Sequence, residues 1–349
     1  MAPKIEALRL IIIADDLTGA LDSSAAFARY GFRTYAVTSP EAIARALAER
    51  RPEVLAVSTQ TRDASPEDAK ERVAQVMRAL PSGTLIFKKV DSRLKGPIAA
   101  ELDEIPYHRI VAMPAIPQFE RIVVNGCVSG FGVDAPISVG DALGHHASSA
   151  CIPDTLHDEE MDQWIGAHTT DTLFLGARAL AERLAMHMAD HATPQDLPLS
   201  FPSALCITAG SRDPITLAQI TALLSAKLDV VHIPAPNGCL DAEPQQNARI
   251  TVLQATPGAT SIPAATVATN LAASLKKLTP ENDVTWFLTG GATAEAVLLS
   301  NDILEMQILG EILPGLPVCR TENTVFITKS GGFGADDTLV RVAEMICKT

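Results

Sequence analysis

Apolar runs that stop abruptly at polar clusters recur along the first ninety residues. Residues 10–14 (LIIIA) carry no polar side chain and read as a strand buried on both faces of a parallel sheet. They end at Asp15 and Asp16. The segment 18–30 then places Leu21, Ala25 and Ala28 at helical spacing, with Gly31 where a left-handed cap would close it. The pattern repeats with a strand over 33–38, a helix over 40–50 opened by Pro40, a strand over 53–58 and a helix over 66–80. The second of these strands runs into Thr59, Gln60, Thr61 and Arg62. A third polar end comes after 84–87 (TLIF), where Lys88, Lys89, Val90, Asp91 and Ser92 precede a helix expected over 96–104, with Pro97 in its first turn. Ligands bind at the carboxyl ends of strands in open parallel sheets, so Asp15, Asp16, Arg62, Lys89, Asp91 and Ser92 are expected to converge on one small anionic substrate.

Strands are also expected over 109–113 and 172–176, with a helix over 177–191, while 114–154 is rich in Gly, Pro, Ser and His and shows no clean period. Three prolines in 192–203 (ATPQDLPLSFPS) rule out an unbroken helix or strand and mark a linker. A second series comes after it, with strands over 204–208, 229–233, 249–254, 283–289 and 323–328 and helices over 214–227, 264–278, 291–299 and from 336 onward. Alternation of this kind predicts an α/β protein of two domains, 1–195 and 203–349, each a mostly parallel sheet flanked by helices, with the active site in the interdomain cleft.

Length agrees, since 349 residues exceed what a single core usually supports. An apolar content of 47% excludes a disordered chain. The formal net charge of -13 disfavours nucleic acid as a partner. Six scattered cysteines without a CxxC pair suggest reduced thiols rather than a disulfide framework or zinc site. No apolar run is long enough to span a membrane and no signal peptide is legible, so a cytoplasmic location is expected.

A carboxylate at Asp15 or Asp16 could act as general base, bind Mg²⁺ or accept from substrate hydroxyls, or could merely cap the helix after it. A haloacid-dehalogenase-like phosphatase also starts with a strand ending in acids, but it needs Asp-x-Asp and Leu17 breaks that pattern. The cluster Lys88, Lys89, Arg93 and Lys95 beside Gly96 suits a carboxylate or phosphate. In the second half, Gly290, Gly291, Ala292 and Thr293 come after a strand and open a helix, and 329–334 (KSGGFG) forms another glycine-rich turn. Ser211 lies at a third such junction. Two glycine turns in one domain suit a nucleotide, although neither is a P-loop or GxGxxG. His187 and His191 have a chelating spacing, but Met188 occupies the place of the glutamate in HExxH, so no metal ligand set is assigned. His145 and His146 read as loop residues.

Together these motifs resemble the four-carbon acid sugar kinase family. The likeness rests on IIADDLTGA at 12–20, STQTR at 58–62, KKVDSRLKG at 88–96, MPAIP at 113–117, GSRDPIT at 210–216, TGGATA at 289–294 and SGGFG at 330–334, in the family's order. The resemblance implies an amino-terminal acid-sugar domain and a carboxyl-terminal nucleotide domain, with ATP phosphorylating the terminal hydroxyl of threonate, erythronate or 3-oxo-tetronate. It implies that Asp15, Asp16, Arg62 and the segment Lys89, Val90, Asp91 and Ser92 contact the acid sugar, and on that basis Arg62 and Lys89 are expected to fix its carboxylate and Asp16 or Asp91 to orient and deprotonate the attacking hydroxyl. It further implies that Ser211, Gly290, Gly291, Ala292, Thr293 and Gly332 contact ATP, with Mg²⁺ as cofactor. Many members carry an acid where this chain has Ala292. The expected partners are the acid sugar and ATP, with a homodimer left open. A non-catalytic binding homologue and a phosphoryl-handling hydrolase are the alternatives.

Overall fold

The structure is a computed structural model and describes residues 8–166, 172–195, 200–240, 248–278 and 283–347. The chain divides into two units, Met1–Asp196 and Leu197–Thr349. Part of the expected linker, 196–199, lies outside the described residues.

In the first unit β1 (Leu10–Ala14) is buried along its whole length, as a run without polar side chains requires. Asp16 then caps α1 (Leu17–Arg29), accepting from the Gly19 amide at 2.8 Å, and Gly31 lies beyond it with φ +84°. The unit continues through β2 (Thr34–Val37), α2 (Pro40–Arg45), β3 (Val54–Ser58), α3 (Pro66–Ala79), β4 (Leu85–Lys89), α4 (Ile98–Leu102) and β5 (Arg109–Met113). The helix expected over 40–50 splits: α2 gives way at 46–50 to a wider turn in which the Arg51 amide reaches Ala46 O. In 114–154 lies a small antiparallel sheet of β6 (Arg121–Val124), β7 (Cys127–Gly130) and β8 (Ile137–Ser138), followed by α5 (Val139–Leu143) and β9 (Ala150–Cys151). After α6 (Asp162–Gly166), β10 (Thr172–Gly176) and α7 (Arg178–Met188) complete the unit. Its parallel strands run in the order β2-β3-β1-β4-β10-β5-β9, with Ser58, Ala14, Lys89 and Gly176 abreast.

The second unit opens with β11 (Ala204–Ala209), α8 (Pro214–Ser225), β12 (Val230–Pro236), β13 (Ile250–Thr256), α9 (Ala264–Leu278), β14 (Val284–Thr289) and α10 (Gly291–Ser300). A hairpin of β15 (Glu305–Leu313) and β16 (Leu316–Arg320) precedes β17 (Val325–Lys329) and α11 (Thr338–Cys347). The order is β12-β13-β11-β14-β17-β16-β15, parallel as far as β17 and antiparallel beyond it. Register sets Ala209, Thr289 and Lys329 abreast. Leu205, Ile207, Phe287 and Ile327 pack with Leu223 of α8 and Leu339, Val342 and Ile346 of α11 in one core.

Two expectations in the first unit are corrected. Lys88 and Lys89 are the last residues of β4 rather than a polar tail beyond it, and the helix of 96–104 shrinks to Ile98–Leu102. The helix starts late because Gly96 has φ +95° and Pro97 is its N-cap, outside the helical conformation. Lys88 is fully buried because Glu101, carried in by α4, pairs with it at 2.9 Å and is itself fully buried. Thr61 also donates its hydroxyl to the same Glu101 oxygen. A lone buried ammonium or carboxylate would be strongly unfavourable, so each group tolerates burial only through the other. Lys88→Met is therefore expected to destabilise the first unit by about 3–5 kcal/mol, whereas Lys88→Met with Glu101→Leu recovers most of that loss. Denaturation followed by Trp164 fluorescence in a Trp286→Phe background reads this directly, the chain having two tryptophans, one in each unit.

Candidate functional site

In the first unit the residues after β1, β3 and β4 emerge side by side. Thr59 N donates to Ala14 O at 2.8 Å and Thr61 N to Asp15 O at 2.9 Å, which fixes Arg62 above the paired acids. Its guanidinium grips Asp15 through two parallel bonds, Nε to Oδ2 and Nη2 to Oδ1, each 2.9 Å, and reaches Asp16 Oδ2 through Nη1 at 2.6 Å. Asp91 Oδ2 stands 3.9 Å from the same Nη1. Three carboxylates thus share one guanidinium. Burial works to raise the Asp15 carboxyl, but the Lys89 ammonium, the Arg62 hydrogen bonds and Lys88 outweigh it and hold the group below its ordinary 3.8. Burial likewise works to lower Arg62, and the surrounding carboxylates raise it instead.

Lys89, 6% exposed, makes one hydrogen bond among the described residues, to Val90 O at 2.7 Å. A Cβ on Gly19 would lie 2.9 Å from its Nζ and 2.6 Å from Asp16 Oδ1, so only glycine lets the ammonium and the carboxylate approach α1 this closely. Val90 is buried and its amide is tied to Gly176 O. Ser92 is buried and accepts from Arg121 Nη1 at 2.6 Å. Asp91 Oδ1 accepts from the Arg93 amide, while Oδ2 has no hydrogen-bond partner among the described residues. Arg93 and Lys95 are exposed. Arg121, at the start of β6, is the residue the sequence reading missed, because its neighbourhood in 114–154 has no period to place it.

In the second unit three strand-to-helix junctions meet. Gly210 N donates to Thr289 O and Gly290 N to Lys329 O at 2.9 Å, drawing 209–213, 289–293 and 329–334 together. Gly290 has φ +100°, a conformation that glycine adopts freely, and it caps α10. A Cβ on Gly210 would lie 2.0 Å from Thr293 Oγ1, and one on Gly331 would lie 2.3 Å from Ser211 Oγ. Ser211 Oγ accepts from the Asp213 amide. Asp213 caps α8 through Oδ1, and its Oδ2 faces the cradle at Gly332 with no hydrogen-bond partner among the described residues. Gly291 opens α10, Ala292 is exposed and Thr293 is buried. Lys329, 1% exposed, bonds with its ammonium to Ser330 O, Gly331 O, Phe333 O and Thr216 Oγ1.

The remaining candidates have other partners. Asp103, His145 and His146 bring one ligand atom each within 4.8 Å of one another, but His146 is also held by Tyr107 and Ala99 O, and Asp103 by Lys70 at 3.2 Å. His187 bonds to Asp162 and packs edge-on against His191.

Residues 10–138 match the sugar-binding N-terminal domain family, and residues 239–339 match the nucleotide-binding C-terminal domain family. The chain is 26% identical to a D-threonate kinase of Bordetella bronchiseptica over 96% of both chains. It is 32% identical to a D-erythronate kinase of Heliobacterium modesticaldum, over 34% of this chain and 28% of that protein. The same fold occurs in a Salmonella typhimurium LT2 structure described as a putative tRNA synthase (TM-score 0.74, 18% identity, 96% and 98% coverage). A Haemophilus influenzae protein of a family of unknown function also shares it (TM-score 0.70, 17% identity, 96% and 100% coverage). Among the described residues no helix is long and apolar enough to cross a membrane.

The sign of the Asp15 effect is set by its lowered value. The pairing stabilises fully above the unfolded value near 3.8 and is lost as pH falls through the lower folded value. Asp15→Asn is expected to lower stability by about 1.5–3 kcal/mol at pH 7. The gap from wild type should close at pH values below the folded carboxyl's titration, as read by urea midpoints at each pH.

Proposed function

We propose that this chain, which belongs to the four-carbon acid sugar kinase family, transfers the γ-phosphoryl group of ATP to the terminal hydroxyl of a tetronate such as threonate, erythronate or 3-oxo-tetronate. The observation that carries the reading is the edge of the first unit, where a nearly buried ammonium with donors to spare lies beside Asp15 and Asp16, whose shared Arg62 also stands 3.9 Å from Asp91. An acid sugar needs that pairing: cations for its carboxylate and anions for its hydroxyls.

The hydrogen bonds support a division of roles. Arg62 already gives three N–H groups to Asp15 and Asp16, so it orders the acids, and Arg121 gives its own to Ser92 and Phe131 O, so the substrate carboxylate falls to Lys89. Asp16 accepts from Gly19, Thr18 and Arg62, whereas Asp91 Oδ2 accepts from none of the described residues and has lone pairs available for a substrate hydroxyl. Asp91 is therefore the preferred general base and Asp16 a hydroxyl-orienting group. As the hydroxyl proton passes to Asp91, the sugar oxygen bonds to the γ-phosphorus and the bond to the β-phosphate oxygen breaks, releasing ADP. In the second unit Ser211, the Gly290–Thr293 turn and the Gly331–Gly334 turn hold the phosphates. Asp213 Oδ2, unpartnered beside the cradle at Gly332, suits a hard cation, and Mg²⁺ bound there would neutralise charge on the β- and γ-oxygens.

A coupled ADP-release assay across the four-carbon aldonates and their 3-oxo forms tests the reading. Turnover should require both ATP and one of these acids. Binding of both without ADP release, or ADP release indifferent to the acid, would overturn it. Asp91→Asn is expected to lower kcat about 100-fold or more. Lys89→Met should raise KM for the acid sugar far more than it changes KM for ATP.

A further inference from the structure

Lys329 is buried, 1% exposed, and among the described residues no carboxylate pairs with it. Its Nζ lies 2.9 Å from Ser330 O, 2.8 Å from Gly331 O, 3.2 Å from Phe333 O and 3.3 Å from Thr216 Oγ1. The ammonium thus occupies the centre of a ring of oxygens supplied mostly by the turn just after it. In a trans peptide the carbonyl of one residue and the amide of the next point in opposite directions. Carbonyls of 330, 331 and 333 that converge on Nζ therefore turn the amides of Gly331, Gly332 and Gly334 away from it. Those three amides donate to nothing among the described residues. Successive outward amides form a concavity for anions, and Gly331 and Gly332 border it at Ser211 and Asp213.

We propose that Lys329 is a positioning residue for nucleotide phosphates: without touching the nucleotide, its ammonium holds the 330, 331 and 333 carbonyls inward and so aims the 331, 332 and 334 amides at a polyphosphate. The inference rests on the reading that the second unit binds ATP. A neutral amine has a lone pair and two donors in place of three, and it cannot hold the same ring. Burial lowers Lys329 to about 8, with Asp213 acting in the opposite direction. Of the elements around it, α8 presents Asp213, Thr216 and Gln219, the turn presents its own carbonyls, and Arg212, Asp336 and Asp337 are exposed nearby in the chain. Carboxylates and guanidinium groups do not ordinarily titrate between pH 7 and 9, so the lysine is the group that changes there. A bound polyphosphate favours the charged form. Affinity should therefore be greatest below about pH 8 and fall by up to about tenfold per pH unit above it, with a proton taken up on binding.

Calorimetry with ADP on the full-length protein tests this. ADP phosphates are fully ionised at pH 8.5, so a binding enthalpy that varies with the buffer's ionisation enthalpy would report uptake by the protein. The expected result is uptake approaching one proton at pH 8.5 and affinity at pH 9 about tenfold weaker than at pH 7. Lys329→Met should weaken ADP binding at pH 7 at least tenfold and abolish the uptake, with acid-sugar binding retained. Wild-type uptake near zero together with pH-independent affinity would overturn the proposal even if the variant failed to fold. Absence of ADP binding at any pH would instead remove the kinase reading beneath it.

Discussion

Parallel pairing in register is the constraint on which both proposed sites depend. Neighbouring strands lie about 4.8 Å apart, so residues one step beyond three adjacent strands that end at the same level are neighbours without any long loop. In the first unit Ser58, Ala14 and Lys89 share a level, and the chain beyond them supplies Arg62, the paired acids and Asp91. In the second, Ala209, Thr289 and Lys329 share a level, and Ser211, Gly290 and Gly331 come next. Crowding comes with this convergence. Side chains at Gly19, Gly210 or Gly331 would overlap atoms of the adjoining junction, which is why these positions carry none.

Each unit also buries lysines at the end of a strand, and the way each is neutralised determines what it can do. Lys88 has a carboxylate at 2.9 Å and both members are sealed from water, so the pair acts as a fixed strut between β4 and α4. Among the described residues Lys329 bonds to neutral oxygens, with Asp213 acting from farther off, and its charge is correspondingly easier to remove. Lys89 falls between them: nearly buried, with one backbone partner, and its ammonium close enough to Asp15 to help hold that carboxyl ionised. Structural, adjustable and ligand-facing lysines thus differ in their surroundings rather than in their depth.

Most of the parallel strands were legible because a run such as 10–14 or 204–209 has one physical outcome, burial on both faces. The hairpin of β15 and β16 was not. Its alternation is broken by Gly310 and by Pro317, and both fall where the ladder shifts register, so the irregularity that hid the strands is a bulge in the structure. The boundary of β4 was misread for a different reason. Lysine in a buried strand contradicts its local pattern, and only Glu101, on the helix after the next turn, makes the position tolerable. Arg121 escaped because short strands around Gly126, Gly130 and Gly132 carry too little periodicity to be placed. Local pattern thus located the strand ends, whereas the partners that settle each polar side chain are tertiary.

Those partners also separate supports from contacts within one cluster of like residues. Arg62, by motif, looked like the cation for a substrate carboxylate. Its planar fork is instead matched to Asp15, and a bidentate pair of this kind, more than nine-tenths hidden on the acid's side, is not one that a small ligand readily displaces. A group whose donors are filled by buried protein partners is set for geometry; a group left with unfilled donors or lone pairs beside it is set for a ligand. By that criterion Lys89 and Asp91 face outward in the chemical sense and Asp15 and Arg62 do not, although all four sit on the same strand edge. The 330–334 turn obeys the same rule in reverse, since its 330, 331 and 333 carbonyls are taken by Lys329 and its 331, 332 and 334 amides have no partner among the described residues.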